Sequence, residues 1–304
     1  MEIYQLRAFL TVAQQGHLTR AAERLHISQS AVSKQIKALE DELGVVLFAR
    51  TSSGTSLTRS GQLLLAQAEK TLDSALELIN MAREIRGEIA GAIRLGTIID
   101  PEFLRLGGVL GKLLEQYPKI EVKLTHGISG SILERIRAGS VDAGFFLGVL
   151  DDPAIHVTQL GMLTYLVVAP SAWEDRIRQA QWCDIAAMPW IGTPAHSSQH
   201  RLVIDMFAEQ GYALSTVVEV DQEASMRSLV TMGMGLCLLR EDIAREAEQK
   251  EQLVVWEGAS RPCPLSFIYP KAKADDVLVN TLHKVVLDEW ALSAPADAPP
   301  STPE

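Results

Sequence analysis

Five polar side chains fall on one side of a short helical segment near the start of the chain. Amide and hydroxyl groups of this reach can hydrogen-bond to base edges, and ammonium groups can bind phosphate. An ordinary solvated helix carries the same residue types, so the neighbouring elements must decide between the two interpretations. The five are Gln29, Ser30, Ser33, Lys34 and Lys37.

Two helices are predicted before that segment. Apolar residues recur at helical spacing over residues 6–13, and Gly16 ends the first helix. Residues 19–25 form the second helix, which is followed by a turn at residues 26–27. Ile27 is apolar and is therefore expected to point inward from this turn.

The third helix carries the five polar side chains. Ser28 is its predicted N-cap, because a hydroxyl can accept from a backbone N–H that has no partner inside the helix. The helix is expected to run to about Leu43, with an apolar stripe on the side opposite the polar residues. That stripe is predicted to contain Ala31 or Val32, Ile36, Leu39 and Leu43.

This order of elements, followed by a short hairpin, resembles the N-terminal domain of LysR-type transcriptional regulators. The match covers about sixty residues without a gap, so it is more specific than a single motif. The residues that carry it are Leu6-Arg7-Ala8-Phe9, Thr19-Arg20-Ala21-Ala22, Leu25-His26-Ile27-Ser28-Gln29-Ser30-Ala31-Val32-Ser33, Leu39-Glu40-Asp41-Glu42-Leu43-Gly44, Leu47-Phe48-Ala49-Arg50 and Leu57-Thr58-Arg59-Ser60-Gly61.

The resemblance implies a winged helix-turn-helix at residues 1–58 that binds double-stranded DNA at a near-palindromic operator. The third helix would contact the bases, and Arg50 would hold a phosphate near the wing. The wing itself has no further arginine or lysine at residues 51–54, so few phosphate contacts are expected from it. The expected DNA-binding residues are Thr19, Arg20, Gln29, Ser30, Ser33, Lys34, Lys37, Arg50 and Ser53.

A long linker helix is predicted at residues 59–90. Its apolar residues alternate steps of three and four, which is typical of a coiled-coil seam. A partner helix from a second chain is the favoured cover for this seam, and packing against the C-terminal half of the same chain is the alternative. The resemblance implies a homodimer that associates into a homotetramer. The seam consists of Leu65, Ala68, Leu72, Ala75, Ile79 and Ala82.

The second half alternates short apolar runs with amphipathic helices, which is typical of mostly parallel α/β sheets. The resemblance implies a two-lobed, periplasmic-binding-protein-like effector domain at residues 91–292. Lobe I would contain residues 91–160 and 266–292, lobe II residues 161–265, with crossings near Leu160 and Leu265. Residues 293–304 are rich in proline and are expected to be disordered. Strands are predicted at residues 92–99, 120–126, 141–148, 156–160, 165–169, 217–220, 235–239, 253–256 and 265–269.

A ligand of such a domain would bind between the lobes, at the carboxyl ends of the strands. Two alternatives are left open for the polar residues there: Ser197 and Ser198 only cap a helix, and Asp221 and Glu223 only form a solvated helix start. Asp100 disfavours a carboxylate nearby, so the effector is expected to be amphoteric, cationic or partly apolar. The expected effector-binding residues are Thr97, Ile98, Asp100, Ser129, Pro194, His196, Ser197, Ser198, Asp221 and Gln222.

Charge is distributed unevenly along the 304 residues. Residues 1–61 carry seven Lys and Arg against five Asp and Glu, a balance of +2 within a net charge of −10, so the remainder carries −12. This favours selective DNA contact by a small head over general coating of nucleic acid. No signal peptide and no membrane span are expected, and three scattered cysteines fit a reducing cytoplasm.

The sequence therefore predicts a sequence-specific transcription factor whose second half binds a small-molecule effector that modulates promoter binding. RNA polymerase is a further expected partner. Motifs for nucleophilic, metal or nucleotide chemistry are absent from the sequence, so no cofactor and no enzyme activity are expected. The alternatives are a DNA-binding protein without an effector and an enzyme carrying a DNA-binding head.

Overall fold

The computed structural model of the protein describes residues 1–51, 54–84 and 89–291. The chain divides into two compact units, residues 1–88 and residues 89–304. The predicted disordered tail at residues 293–304 lies outside the described residues. Among those described, no helix is both long enough and apolar enough to cross a membrane.

The first unit begins with three helices, α1 (Ile3–Gln15), α2 (Leu18–Leu25) and α3 (Gln29–Leu43). Gly16 closes α1 and Gly44 closes α3, both in the left-handed conformation that glycine adopts without steric cost. The helices bury one shared cluster, whose members with no more than 1% exposure include Phe9, Val12, Val32, Leu39 and Leu47. This burial fixes which side of α3 faces outward.

Two apolar residues predicted to be buried are exposed instead. Ile27 is 37% exposed, because left-handed His26 and the bond from the Ile27 N–H to the Ala22 carbonyl close α2 and place residue 27 on the surface of the turn. Leu43 is 39% exposed, because the last turn of α3 is left uncovered. The stripe under α3 therefore consists of Val32, Ile36 and Leu39, and Ala31 is only half-buried.

A hairpin follows, formed by β1 (Phe48–Thr51) and antiparallel β2 (Gly54–Leu57). The Thr55 N–H donates to the Gly16 carbonyl at 2.8 Å, which ties the hairpin to the turn between α1 and α2. The hydroxyl of Thr58 accepts from the Gly61 N–H at 3.0 Å. This bond caps the start of the next helix, α4 (Arg59–Glu84).

The seam of α4 does not depend wholly on a second chain, contrary to the sequence-based expectation. Ala68 is buried, and Leu65 and Leu72 pack against the cluster formed by α1 to α3. Farther along the helix, Leu78 and Ile79 are 68% and 48% exposed. The first half of the seam is thus covered within the unit, while apolar surface remains exposed in the second half.

The second unit is built on a six-stranded mixed sheet, in the order β4-β3-β5-β10-β6-β9. The sheet is not mostly parallel as predicted: β3 pairs in parallel with β4 and β5, whereas β5-β10, β10-β6 and β6-β9 are antiparallel. A smaller sheet pairs β7 and β8 in parallel. The strands are β3 (Gly91–Thr97), β4 (Ile120–His126), β5 (Ala143–Leu147), β6 (Ile155–Pro170), β7 (Trp190–Gly192), β8 (Thr216–Glu219), β9 (Cys237–Arg240) and β10 (Leu253–Pro270).

Helices lie between the strands along the chain and pack against these sheets. After β3, a series of turns precedes the first of these helices, which begins at Leu106. The helices are α5 (Leu106–Gln116), α6 (Ser129–Arg137), α7 (Glu174–Gln179), α8 (Trp182–Ala187), α9 (Ser198–Glu209), α10 (Glu223–Thr231), α11 (Glu241–Gln249) and α12 (Val277–Ala291).

The long strands β6 and β10 replace four shorter predicted ones. Each continues through the point where the sequence suggested a break, and the two pair with each other along most of their length. Their register shifts between Leu265 and Ser266, opposite Gly161 and Gln159. Such an irregularity bends a strand without ending it, which explains why one strand resembles two in sequence.

A buried charge cluster joins three strands of the large sheet. Asp142, which precedes β5, accepts from the Arg94 backbone N–H at 2.7 Å and from the Arg94 side chain at 2.7 and 3.0 Å. Lys273, which follows β10, donates to the same carboxylate at 2.7 Å. Burial raises the pKa of Asp142, but Arg94 and Lys273 outweigh it and hold this pKa below its ordinary value of 3.8.

We expect Asp142→Asn to lower the free energy of unfolding of the second unit by about 3 kcal/mol, because two half-buried cations would face a neutral amide. Since the pKa of Asp142 is depressed in the folded state, its contribution should be complete above about pH 5 and lost as pH falls through that pKa. Urea unfolding followed by tryptophan fluorescence reports on this unit, which contains all five tryptophans.

The control is Asp152→Asn, which breaks the exposed pair with Arg137 and should change the midpoint little. Equal midpoints for the wild type and Asp142→Asn at neutral pH would contradict the assigned role of this cluster.

Candidate functional site

The polar face of α3 is exposed along its first two turns. Ser28 caps the helix by accepting from the Ala31 N–H at 3.1 Å, as predicted, and the Ser30 hydroxyl lies 3.0 Å from that of Ser28. Behind the face, Val32 and Ile36 are buried, so the helix cannot rotate without exposing them. All five side chains of the face are exposed: Gln29, Ser30, Ser33, Lys34 and Lys37.

The other residues predicted to contact DNA lie on neighbouring elements of the same unit. Thr19 and Arg20 are exposed on α2. The Arg50 side chain and Ser53 lie outside the described residues. A cavity of about 530 Å3 opens between α3 and the hairpin, and Ser33 and Thr55 contribute to its walls.

A second cavity, of about 510 Å3, lies within residues 89–291. It is lined by the loop after β3, the ends of β4 and β5, the starts of α6, α9 and α10, one face of α11 and one side chain of β6. This is the place where the sequence predicted a ligand between lobes. Seven predicted residues line it: Ile98, Asp100, Ser129, Ser197, Ser198, Asp221 and Gln222.

Three predicted residues do not line the cavity. Thr97 is buried in β3, where its hydroxyl lies 3.3 Å from Nδ1 of His126. His196 is exposed, and its backbone packs so closely on Gly130 that a Cβ there would collide with the His196 carbonyl oxygen. Pro194 is half-buried in the same turn. The turn therefore supports the wall without forming it.

The serines of the cavity are engaged in backbone contacts. Ser197 caps α9 by accepting from the Gln199 N–H at 3.2 Å, which was the open alternative for this residue. Ser129 accepts from the Leu147 N–H at 3.1 Å, and Ser198 donates to the Leu147 carbonyl. These bonds fix the starts of α6 and α9 against the end of β5, at the wall of the cavity.

Several wall residues were not identified from the sequence as site residues. Tyr165 lies in an apolar run of β6, and Arg227 and Glu246 lie on helices whose exposed faces resemble any solvated surface. Glu223 was noticed only as the start of a helix. The apolar part of the wall comes mainly from Ile99, Pro101, Ile128, Leu147 and Ile243.

The cavity is acidic. Four carboxylates line it, from Asp100, Asp221, Glu223 and Glu246, against the guanidinium of Arg227. Burial raises the pKa of Glu223, and Arg240, whose Nη1 lies 3.5 Å from Glu223 Oε2, only partly offsets this. Burial also raises the pKa of Tyr165 well above its ordinary value, so its phenol stays neutral.

Two family models match the chain along almost all of its described length. The model described as "Bacterial regulatory helix-turn-helix protein, lysR family" matches residues 3–62, and the "LysR substrate binding domain" matches residues 86–291. The chain belongs to the LysR family. It is a transcriptional regulator with a helix-turn-helix for DNA and a two-lobed domain for an effector, as the sequence predicted.

Regulators from several bacteria resemble the chain over most of its length. HTH-type transcriptional regulator IlvR of Caulobacter vibrioides is 31% identical over 78% of this chain and 82% of its own. ClcR of Pseudomonas putida is 29% identical over 95% and 99%. Among solved structures, full-length CbnR complexed with its target DNA matches with a TM-score of 0.65 at 23% identity, covering 94% of this chain and 99% of CbnR. That likeness supports the fold.

We expect Ser129→Ala to lower the free energy of unfolding of the second unit by about 1–3 kcal/mol, because the buried Leu147 N–H would lose its acceptor. Urea unfolding followed by tryptophan fluorescence measures this change. Ser140→Ala is the matched control, since that hydroxyl is exposed and donates to a carbonyl on the surface. A Ser129→Ala midpoint equal to that of the control would show that this bond does not fix the start of α6.

Proposed function

We propose that α3 enters the major groove and reads its operator through Gln29, Ser30 and Ser33, while Lys34 and Lys37 bind phosphates. The observation that carries this is the capped helix whose polar face is wholly exposed while Val32, Ile36 and Leu39 are buried. Burial of one side leaves the other side available to DNA. Thr19, Arg20, Arg50 and Ser53 complete the proposed contact surface.

We also propose that the regulator acts as a homodimer on a near-palindromic operator, with tetramers formed from dimers. Two-fold symmetry lets two recognition helices reach successive half-sites. Exposed apolar residues support a second chain at α4, namely Leu63, Leu78 and Ile79. RNA polymerase is a further proposed partner, and bacterial promoters place this action in the cytoplasm.

The effector is proposed to bind in the 510 Å3 cavity and to change how the two lobes sit against each other. That change would pass through the dimer and alter promoter binding. The walls support this proposal because they come from both lobes: Asp100 and Ser129 lie before the crossing strand β6, and Ser197 and Asp221 lie after it.

A role without enzyme activity is supported by the chemistry of the described residues. Burial raises the pKa of Cys263 to about 12 and raises that of Cys237 further, so both thiols stay protonated and are poor nucleophiles. Within the described residues, His, Cys, Asp and Glu side chains form no group of three or more suited to a metal ion. We therefore propose a regulator that acts by binding alone.

We expect Lys34→Ala to reduce the slope of log K against log salt by about 0.9 for each protomer bound, because one phosphate contact is lost. Fluorescence anisotropy with DNA from the region upstream of the gene measures this slope. Lys123→Ala is the control, since it removes the same charge from an exposed position on β4. Equal slopes for the two variants would contradict the phosphate contact of Lys34.

We expect Leu78→Asp to raise the dissociation constant of the dimer at least tenfold, because burying a leucine contributes about 1.5–3 kcal/mol. Sedimentation equilibrium measures this constant. Leu114→Asp, at an exposed leucine of α5, is the matched control. A dimer unchanged by Leu78→Asp would show that the exposed second half of α4 is not the interface.

A further inference from the structure

Carboxylates from both lobes line the same cavity. Asp100 belongs to the loop after β3, and its Oδ1 accepts from the Glu102 N–H at 2.9 Å. Glu223 starts α10 on the opposite side, and Asp221 precedes it by two residues. The charge of Asp100 contributes, after burial and Asp242, to raising the pKa of Glu223. Closing the lobes therefore brings like charges together, which costs free energy unless a cation lies between them.

The nearby cations compensate these carboxylates incompletely. Arg240 directs its two shorter contacts, at 2.8 and 3.0 Å, to Asp242, and it is 3.5 Å from Glu223. Its guanidinium also lies 4.1 Å over the Phe103 ring, which holds it outside the cavity wall. Asp221 is exposed and forms no ion pair within the described part of the chain.

The two other charged residues of the wall are Glu246 and Arg227, and Glu246 already has cations nearby. Glu246 is bound by Lys250, the residue that follows α11, so it is less available to a ligand. Arg227 lines the cavity and contributes to lowering the pKa of Glu246. Among the described residues, Asp100 and Asp221 thus have no ion-pair partner, and Glu223 has only the 3.5 Å contact with Arg240.

A metal ion does not fit this arrangement as well as an organic cation does. Within the described residues no set of three or more His, Cys, Asp or Glu side chains converges as metal ligands would. The walls beside the carboxylates are aliphatic, with Ile98, Ile99 and Ile243 among them. A volume of about 510 Å3 suits a small organic molecule that is apolar in part.

We propose that the effector carries a protonated amino group and that Asp100, Asp221 and Glu223 bind it from both sides of the cleft. This inference rests on the proposed function, because it specifies the ligand of the same cavity. The ammonium converts repulsion between the lobes into attraction and so stabilises their closed arrangement. At the other end of the ligand, N–H groups at the starts of α6 and α9 would donate to a carboxylate or another hydrogen-bond acceptor.

The test is isothermal titration of the full-length protein with compounds that share one aliphatic chain and differ in charge. The amino acids norvaline and norleucine carry both groups, norvalinol and norleucinol carry the ammonium, and pentanoate and hexanoate carry the carboxylate. We expect the ammonium compounds to bind about tenfold or more tightly than the matching carboxylates.

Two variants test which residues cause the preference for ammonium compounds over carboxylates. Glu223→Gln and Asp221→Asn should each weaken binding of the ammonium compounds about tenfold and leave pentanoate and hexanoate unchanged or tighter. Glu219→Gln is the control, since it removes the same charge from an exposed position on β8 outside the cavity. Unfolding midpoints close to that of the wild type show that the two variants remain folded.

Carboxylates that bind as tightly as the ammonium compounds would overturn the inference. The absence of binding by every ammonium compound, or discrimination that survives both variants, would also overturn it. The proposed function fails separately, because it is judged by promoter binding. If a carboxylate bound more tightly than the ammonium compounds and changed promoter binding, the proposed function would stand and the proposed ammonium site would be wrong.

Discussion

The antiparallel pairing of β6 with β10 is the interaction on which the second unit depends. The two strands pair along most of their length, and this pairing is interrupted by register shifts after Trp256 and at Leu265. A bend in paired strands lets the lobes on either side share one sheet while a cleft remains between them. Tyr165, buried on β6, forms part of the cleft wall, so the same strands that join the lobes also shape the cavity.

The starts of two helices are fixed at that cavity by short polar contacts. Ser129 and Ser198 hold α6 and α9 to the two ends of one residue, Leu147, and Ser197 caps α9. At α10, carboxylates oppose the positive end of the helix and leave the wall acidic. Helix α3 in the first unit is held in a similar way. Ser28 caps its start, and burial of Val32 fixes its rotation about its axis.

Features set by neighbouring residues could be predicted from the sequence. The three helices of the first unit, the Ser28 cap and the glycine that ends α1 all follow from local spacing and capping chemistry. Ile27 and Leu43 were wrongly assigned to the core, because hydrophobicity alone does not tell whether another element covers a residue. For the same reason, the sequence did not show that α1 to α3 cover Ala68 of α4.

In the second unit, loops that follow strands identified seven of the residues that line the cavity, since the carboxyl ends of parallel strands meet there. Tyr165 and Arg227 could not be found in this way, because they come from the middle of a strand and the face of a helix. The sequence also did not show that β6 and β10 are continuous, since a bulge within one strand and a loop between two strands give similar sequence patterns. Only tertiary pairing distinguishes them.

The central claim is that a small molecule in the cavity changes how the regulator contacts DNA. DNase footprinting on the promoter beside the gene tests it, with and without a panel of small amino and carboxylate compounds. Wild-type protein should protect a long site that shortens or shifts with one compound, and Ala224→Trp, which fills the cavity, should abolish that response. Protection that no compound alters would contradict sensing by this cavity, and no protection would contradict the role of α3.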